Sequence, residues 1–266
     1  MAFKFHDSGS SFFDFLSSQY PQNVPSFSRE DVASTPSGWS SVPHGTTVLA
    51  LRFNQGVLIA GDRMATEGYS VSVRKMDKVF KTDEFSAIAI AGAAGPAVEM
   101  SRLFQTELEH YEKLEGISLT TEGKANKLAQ MIRSNLPMAF QGLVVVPIFV
   151  SYDHQKKLGR IFKYDITGGR YEETEFYSTG SGGKDARNVL KTRYKADLEE
   201  SEAVRIAVEA LFNAAEEDIG TGGPDPIRGI YPTVKVITQK GTADVEESKV
   251  IAAYNDLMDQ RRRGAS

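Results

Sequence analysis

The chain has 266 residues, 41% of them hydrophobic, enough to bury a core in one large domain or two small ones; its net charge of -4, from 31 basic and 35 acidic residues, leaves no basic excess for nucleic acid. It contains no cysteine, which excludes disulfides, thiolate nucleophiles and cysteine-bound zinc, so any covalent chemistry must use oxygen or nitrogen. The longest apolar run, Leu143 to Val150, is far shorter than the roughly 20 residues a membrane-spanning helix needs, and no membrane association is expected.

Residues 1–45 are rich in Ser, Phe and Pro and show no sustained period. Asp14 interrupts the apolar cluster of Phe12, Phe13, Phe15 and Leu16, and only Lys4 precedes it, which does not fit a secretory signal; the expected location is cytoplasmic. Regular patterns begin at Thr46. Thr47 to Phe53 and Val57 to Ala60 read by pattern as two strands joined by a turn at Asn54-Gln55-Gly56, and strands over Lys78 to Lys81 and Phe85 to Ala91 are expected to follow. Pro96 suits the first turn of a helix that ends near Gly116. Ala125, Leu128, Ala129, Ile132 and Leu136 share one face of a second helix, for which Thr120 or Thr121 is the cap.

Strands are predicted again over Leu143 to Tyr152, Arg160 to Tyr164 and Glu172 to Tyr177, followed by helices over Lys184 to Tyr194 and Glu200 to Glu217. A strand over Thr233 to Thr238 and a charged helix from Glu246 complete the order. Strands in runs and helices in pairs argue for packed layers of α+β type rather than alternating βαβ units.

The four histidines, His6, His44, His110 and His154, fall in the leader, on a charged helix and in a polar turn. None lies beside a serine on a G-x-S-x-G turn, so a Ser-His-Asp triad is not expected. Gly180-Ser181-Gly182-Gly183-Lys184 is not a phosphate loop, because Ser178 and Asp185 stand where that motif needs Gly and Ser or Thr.

Gly45-Thr46-Thr47-Val48-Leu49-Ala50-Leu51, followed by Gly61-Asp62-Arg63-Met64-Ala65-Thr66-Glu67-Gly68, resembles the start of a mature proteasome β subunit. Further pieces match in order: Lys78 before Val79, the Ala91-Gly92 turn, Gly180-Ser181-Gly182, and Asp218 with Thr221-Gly222-Gly223. The segments from Glu107 to Gly116 and from Gly222 to Asp225 are most similar to the bacterial, actinobacterial-type subunits. The resemblance covers residues 46–266 and implies a four-layer αββα sandwich of the N-terminal nucleophile hydrolase type, preceded by a propeptide, residues 1–45. It also implies seven-membered rings of this chain, stacked on rings of α subunits, with a regulatory ATPase ring beyond them and protein and peptide substrates. No metal or other cofactor is expected.

A threonine hydroxyl needs a base as it attacks. An α-amino group, with an unperturbed pKa of roughly 7.7 to 8.0, fits that task, but only once Thr46 is the first residue. Cleavage between Gly45 and Thr46 is therefore expected, and the resemblance places it at the same bond. By resemblance Lys78 stands beside the nucleophile and Asp62 orients it; Ser181, Asp218 and Thr221 surround the amine; and Gly92 supplies the oxyanion donor. Thr66 and Ala94 would pair with an extended substrate, and Ala65, Met76, Phe80, Ile90 and Val98 would line an uncharged first specificity pocket. Arg63 directly follows Asp62, whereas many members of that family carry arginine one place later, where this chain has Met64. A non-catalytic ring subunit and an amidohydrolase of small amides are the alternative readings.

Overall fold

A computed structural model describes residues 45–67 and 70–264. The leader up to His44, with its phenylalanines, His6 and His44, and Gly68 of the second motif lie outside the described residues.

Period-two patterning builds the two large sheets. In β1 (Thr47–Phe53) and β2 (Gly56–Gly61), Leu49, Leu51, Phe53, Leu58 and Ala60 face one way, while Val48, Ala50, Val57 and Ile59 face the other. β5 (Val79–Asp83), β6 (Ser86–Gly92), β7 (Val145–Asp153), β8 (Leu158–Tyr164) and β9 (Arg170–Glu173) form one antiparallel sheet in that order. The other runs β10 (Phe176–Gly180), β1, β2, β11 (Thr233–Thr238), β12 (Gly241–Asp244).

The inner faces meet through Val48, Ala50, Val57 and Ile59 against Ala87, Ala89, Ala91, Ile148 and Val150. On the outer face of the β5–β9 sheet, Ile88, Ile90, Phe149 and Phe162 pack under α1 (Ala94–Glu115) and α2 (Thr121–Ser134). Outside the other sheet, Leu49, Leu51 and Leu58 pack under α4 (Gly183–Arg193), α5 (Glu200–Glu217) and α6 (Glu247–Gly264). The result is helix, sheet, sheet, helix, the expected αββα sandwich. Arg160, only 2% exposed, fastens α2 to its sheet by ion pairs to Glu122, Asp153 and Glu172.

Several expected elements differ. The run 172–177 is not one strand: it breaks at Thr174-Glu175, β9 pairing with β8 and β10 with β1 in the opposite sheet. Leu136 does not continue the second helix, which ends at Ser134. Pro137 restricts the residue before it, and Leu136 instead opens a short α3 (Leu136–Phe140). Thr120, not Thr121, caps α2, accepting from the Gly123 amide at 3.1 Å. The hairpin β3 (Ala65–Glu67) and β4 (Ser70–Val73) and the strand β12 carry too little periodicity to be read from sequence.

Candidate active site

The position of β1 between β10 and β2 assembles the site. Register pairs Val48 with Gly61 of β2 on one side and Thr47 with Gly180 of β10 on the other. The residues just beyond those pairs, Thr46, Asp62 and Ser181, therefore meet at one end of the sheet. Thr46 lies between the other two: its carbonyl accepts from the Ser181 amide at 2.9 Å, and the Asp62 amide donates to the neighbouring Thr47 carbonyl at 3.1 Å.

Asp62 is fully buried and fully satisfied. Oδ1 accepts from the Thr47 amide at 2.9 Å and from Lys78 Nζ at 2.7 Å, and Oδ2 accepts from the amides of Met64 at 3.0 Å and Gly222 at 2.9 Å. Lys78, carried in from the opposite sheet just before β5, is 3% exposed and also donates to the Gly45 carbonyl oxygen at 3.4 Å. Burial pushes its ammonium below the ordinary lysine range, opposed by the charges of Asp62 and Asp218.

The Thr46 hydroxyl donates to the Gly45 carbonyl at 2.7 Å, so nucleophile and candidate scissile carbonyl are in contact. The Thr46 amide donates to Ser181 Oγ at 3.2 Å, and Ser181 donates to Asp218 Oδ2. Thr221 Oγ1 donates to the same carboxylate oxygen at 2.6 Å, so Asp218 and Thr221 reach Thr46 through Ser181 rather than directly. The structure gives a steric reason for glycine at position 45. A Cβ there would lie 2.1 Å from the Gly220 Cα, so the two backbones fit only as glycines. Gly92 has φ +122, and a Cβ on it would stand 2.1 Å from the Val144 carbonyl oxygen.

One cavity opens on Thr46, Lys78 and Gly92, and all the expected substrate contacts line it: Ala65, Thr66, Met76, Phe80, Ile90, Ala94 and Val98. Thr66 Oγ1 also accepts from the Gly45 amide at 3.3 Å. Asp77 and Ala97 line it too and were not expected. The pocket is therefore not free of charge, a correction. Asp77 Oδ1 is nonetheless engaged by Arg63 at 3.0 Å and by the Thr233 hydroxyl at 3.4 Å. Arg63, displaced by one position from the pattern of the resemblance, thus serves the pocket rim. The position of Asp77 immediately before Lys78 was the signal available for it. Among the described residues no cluster of three or more His, Asp or Glu could hold a metal, and no helix is long and apolar enough to cross a membrane. His154 packs edge-on against Phe85 and Tyr152.

An antiparallel αββα sandwich with a threonine hydroxyl and a buried lysine–aspartate pair at the end of its central strands defines the class. A family model described as proteasome subunit matches residues 42–226. A proteasome subunit beta of Acidimicrobium ferrooxidans is 52% identical over 262 residues, covering 98% of this chain and 93% of that one. A proteasome subunit beta of Streptomyces griseus is 52% identical over 254 residues, covering 95% and 89%. One of Acidothermus cellulolyticus is 51% identical over 242 residues, covering 89% and 82%. The chain belongs to the proteasome subunit family, with the β subunits, whose members are generally peptidases that assemble into proteasome rings.

Proposed function

We propose that the chain is the precursor of a threonine endopeptidase subunit that cleaves itself between Gly45 and Thr46 and then degrades unfolded proteins to short peptides. The observation that carries this reading is the contact of the Thr46 hydroxyl with the Gly45 carbonyl, 2.7 Å, beside the Lys78 ammonium at 3.4 Å.

In the self-cleavage the Thr46 oxygen adds to the Gly45 carbonyl carbon while its proton passes to a solvent water, which delivers a proton to the Thr46 nitrogen in the next step. Lys78 stabilises the negative charge that grows on the carbonyl oxygen. The carbon–nitrogen bond then breaks, and the nitrogen takes up a proton and remains against Ser181. This leaves an ester between Gly45 and the Thr46 oxygen, which water hydrolyses to a Gly45 carboxylate and a free Thr46. The new amine, with Ser181 and Asp218 behind it, is the base for peptide hydrolysis, and the Gly92 amide is the proposed oxyanion donor. A substrate strand would lie along Thr66 and Ala94 by backbone pairing. Residues 1–45 act as propeptide, and the subunit works in the cytoplasm in seven-membered rings between α rings fed by an ATPase.

The test is intact mass on the purified chain, alone and mixed with its α subunit: loss of residues 1–45 with peptide hydrolysis is expected, and an active chain that keeps its leader would overturn the scheme. Gly45→Ala is expected to slow that loss by about tenfold or more, because the added carbon must displace the Gly220 backbone. Mass spectra taken through a time course check it.

The apolar lining, with Asp77 held by Arg63, favours a hydrophobic residue before the cut bond. Fluorogenic peptides ending in leucine or phenylalanine should be cut about tenfold faster than those ending in lysine. Equal or reversed rates would remove this assignment of the pocket.

A further inference from the structure

Thr47 is fully buried and enters none of the steps above, yet its two polar groups serve different halves of the site. Its amide donates to Asp62 Oδ1 at 2.9 Å. Its hydroxyl lies 2.6 Å from Thr221 Oγ1 and 3.0 Å from the Gly182 nitrogen.

Proton counting fixes the direction of each hydrogen bond here. The Gly182 amide can only donate, so Thr47 Oγ1 accepts from it. The Asp218 carboxylate takes the single hydroxyl proton of Thr221, at 2.6 Å, and that of Ser181 on the same oxygen. Thr221 has no proton left to give, so Thr47 is the donor between them. A one-way chain runs from Thr47 through Thr221 to Asp218, where it meets the branch from Thr46 through Ser181. Residue 182 leaves room for it: a Cβ on Gly182 would stand 2.8 Å from both threonine hydroxyls.

We infer that Thr47 is a positioning residue for the reaction, its hydroxyl orienting Thr221 and Asp218 behind the Thr46 nitrogen while its amide holds Asp62 toward Lys78. The residue next to the nucleophile thus ties the carboxylate that orients the base to the carboxylate that orients the lysine. The inference rests on the threonine-protease reading above.

Thr47→Val keeps the shape and the amide and removes only the hydroxyl. It strands the Gly182 amide and leaves Thr221 without its donor, and kcat is expected to fall about tenfold with KM within about twofold. Thr47→Ser should hold kcat within about threefold of the unsubstituted chain, since it restores the donor. In a Thr221→Val background the chain is already broken, and adding Thr47→Val should change kcat by less than about twofold. If Thr47→Val retains its leader, the rate of leader loss by intact mass replaces kcat, with the same rescue by serine required. An unchanged kcat in Thr47→Val, equal losses in the valine and serine variants, or fully additive losses with Thr221→Val overturns the role of Thr47 while leaving an active parent enzyme intact. A parent chain without threonine-dependent hydrolysis overturns both readings.

Discussion

Thr46→Ala is expected to leave the chain uncut after Gly45 and to abolish peptide hydrolysis, with a residual rate at least about a thousandfold down. The methyl side chain removes the hydroxyl that touches the Gly45 carbonyl, and the uncut amide nitrogen cannot serve as a base. Thr46→Ser keeps the oxygen but loses the branched Cβ that restricts χ1, so partial activity is expected. Intact mass and peptide turnover on the same sample separate the two steps. A fully processed alanine variant would place the nucleophile elsewhere.

Lys78→Met carries the second large effect. It removes the ammonium from a buried pair at 2.7 Å and leaves Asp62 with three amide donors but no counter-charge. Stability should fall by about 3 kcal/mol and kcat/KM by about a thousandfold, read by denaturant unfolding and by turnover. The unsubstituted chain carries a matching pH signature. Burial lowers the folded-state pKa of Lys78 below its value of 10.5 in the unfolded chain. Between the two values the unfolded chain binds the extra proton, so this group's contribution to stability rises with pH while activity falls as the ammonium is lost. The alkaline limb of kcat/KM should therefore lie below 10.5. A limb at or above that value would argue that Lys78 acts in neutral form or not at all.

Much of this candidate site could be read from the sequence because short motifs carry its hydroxyl and charged members: Thr46 just before the first predicted strand, Asp62 after the second, Lys78 opening the third. The sheets were legible because Thr47 to Phe53, Val57 to Ala60 and Phe85 to Ala91 are short, mostly apolar runs bounded by turn residues. What escaped depends on contacts distant in the chain. Nothing local shows that 172–177 must change sheets, because its two halves find different edge partners. Gly220 reads as a loop glycine until it is seen against Gly45. Thr47 offered one unused signal: it falls in phase with Leu49, Leu51 and Phe53, a hydroxyl on a face that otherwise packs against helices. Its partner Thr221 lies 174 positions away, too far for any motif to join them.

The contact of Gly45 with Gly220 also bears on timing. On a growing chain, Gly45 emerges from the ribosome well before the loop after α5, which carries Gly220 and Gly222, exists, and Ser181 comes almost as late. Under the proposed reaction the bond that frees the nucleophile can be cut only after the start of the domain has closed on the loop after α5. Arming is then a report that this long-range closure has formed, and a chain that has not reached it carries no protease able to attack its siblings.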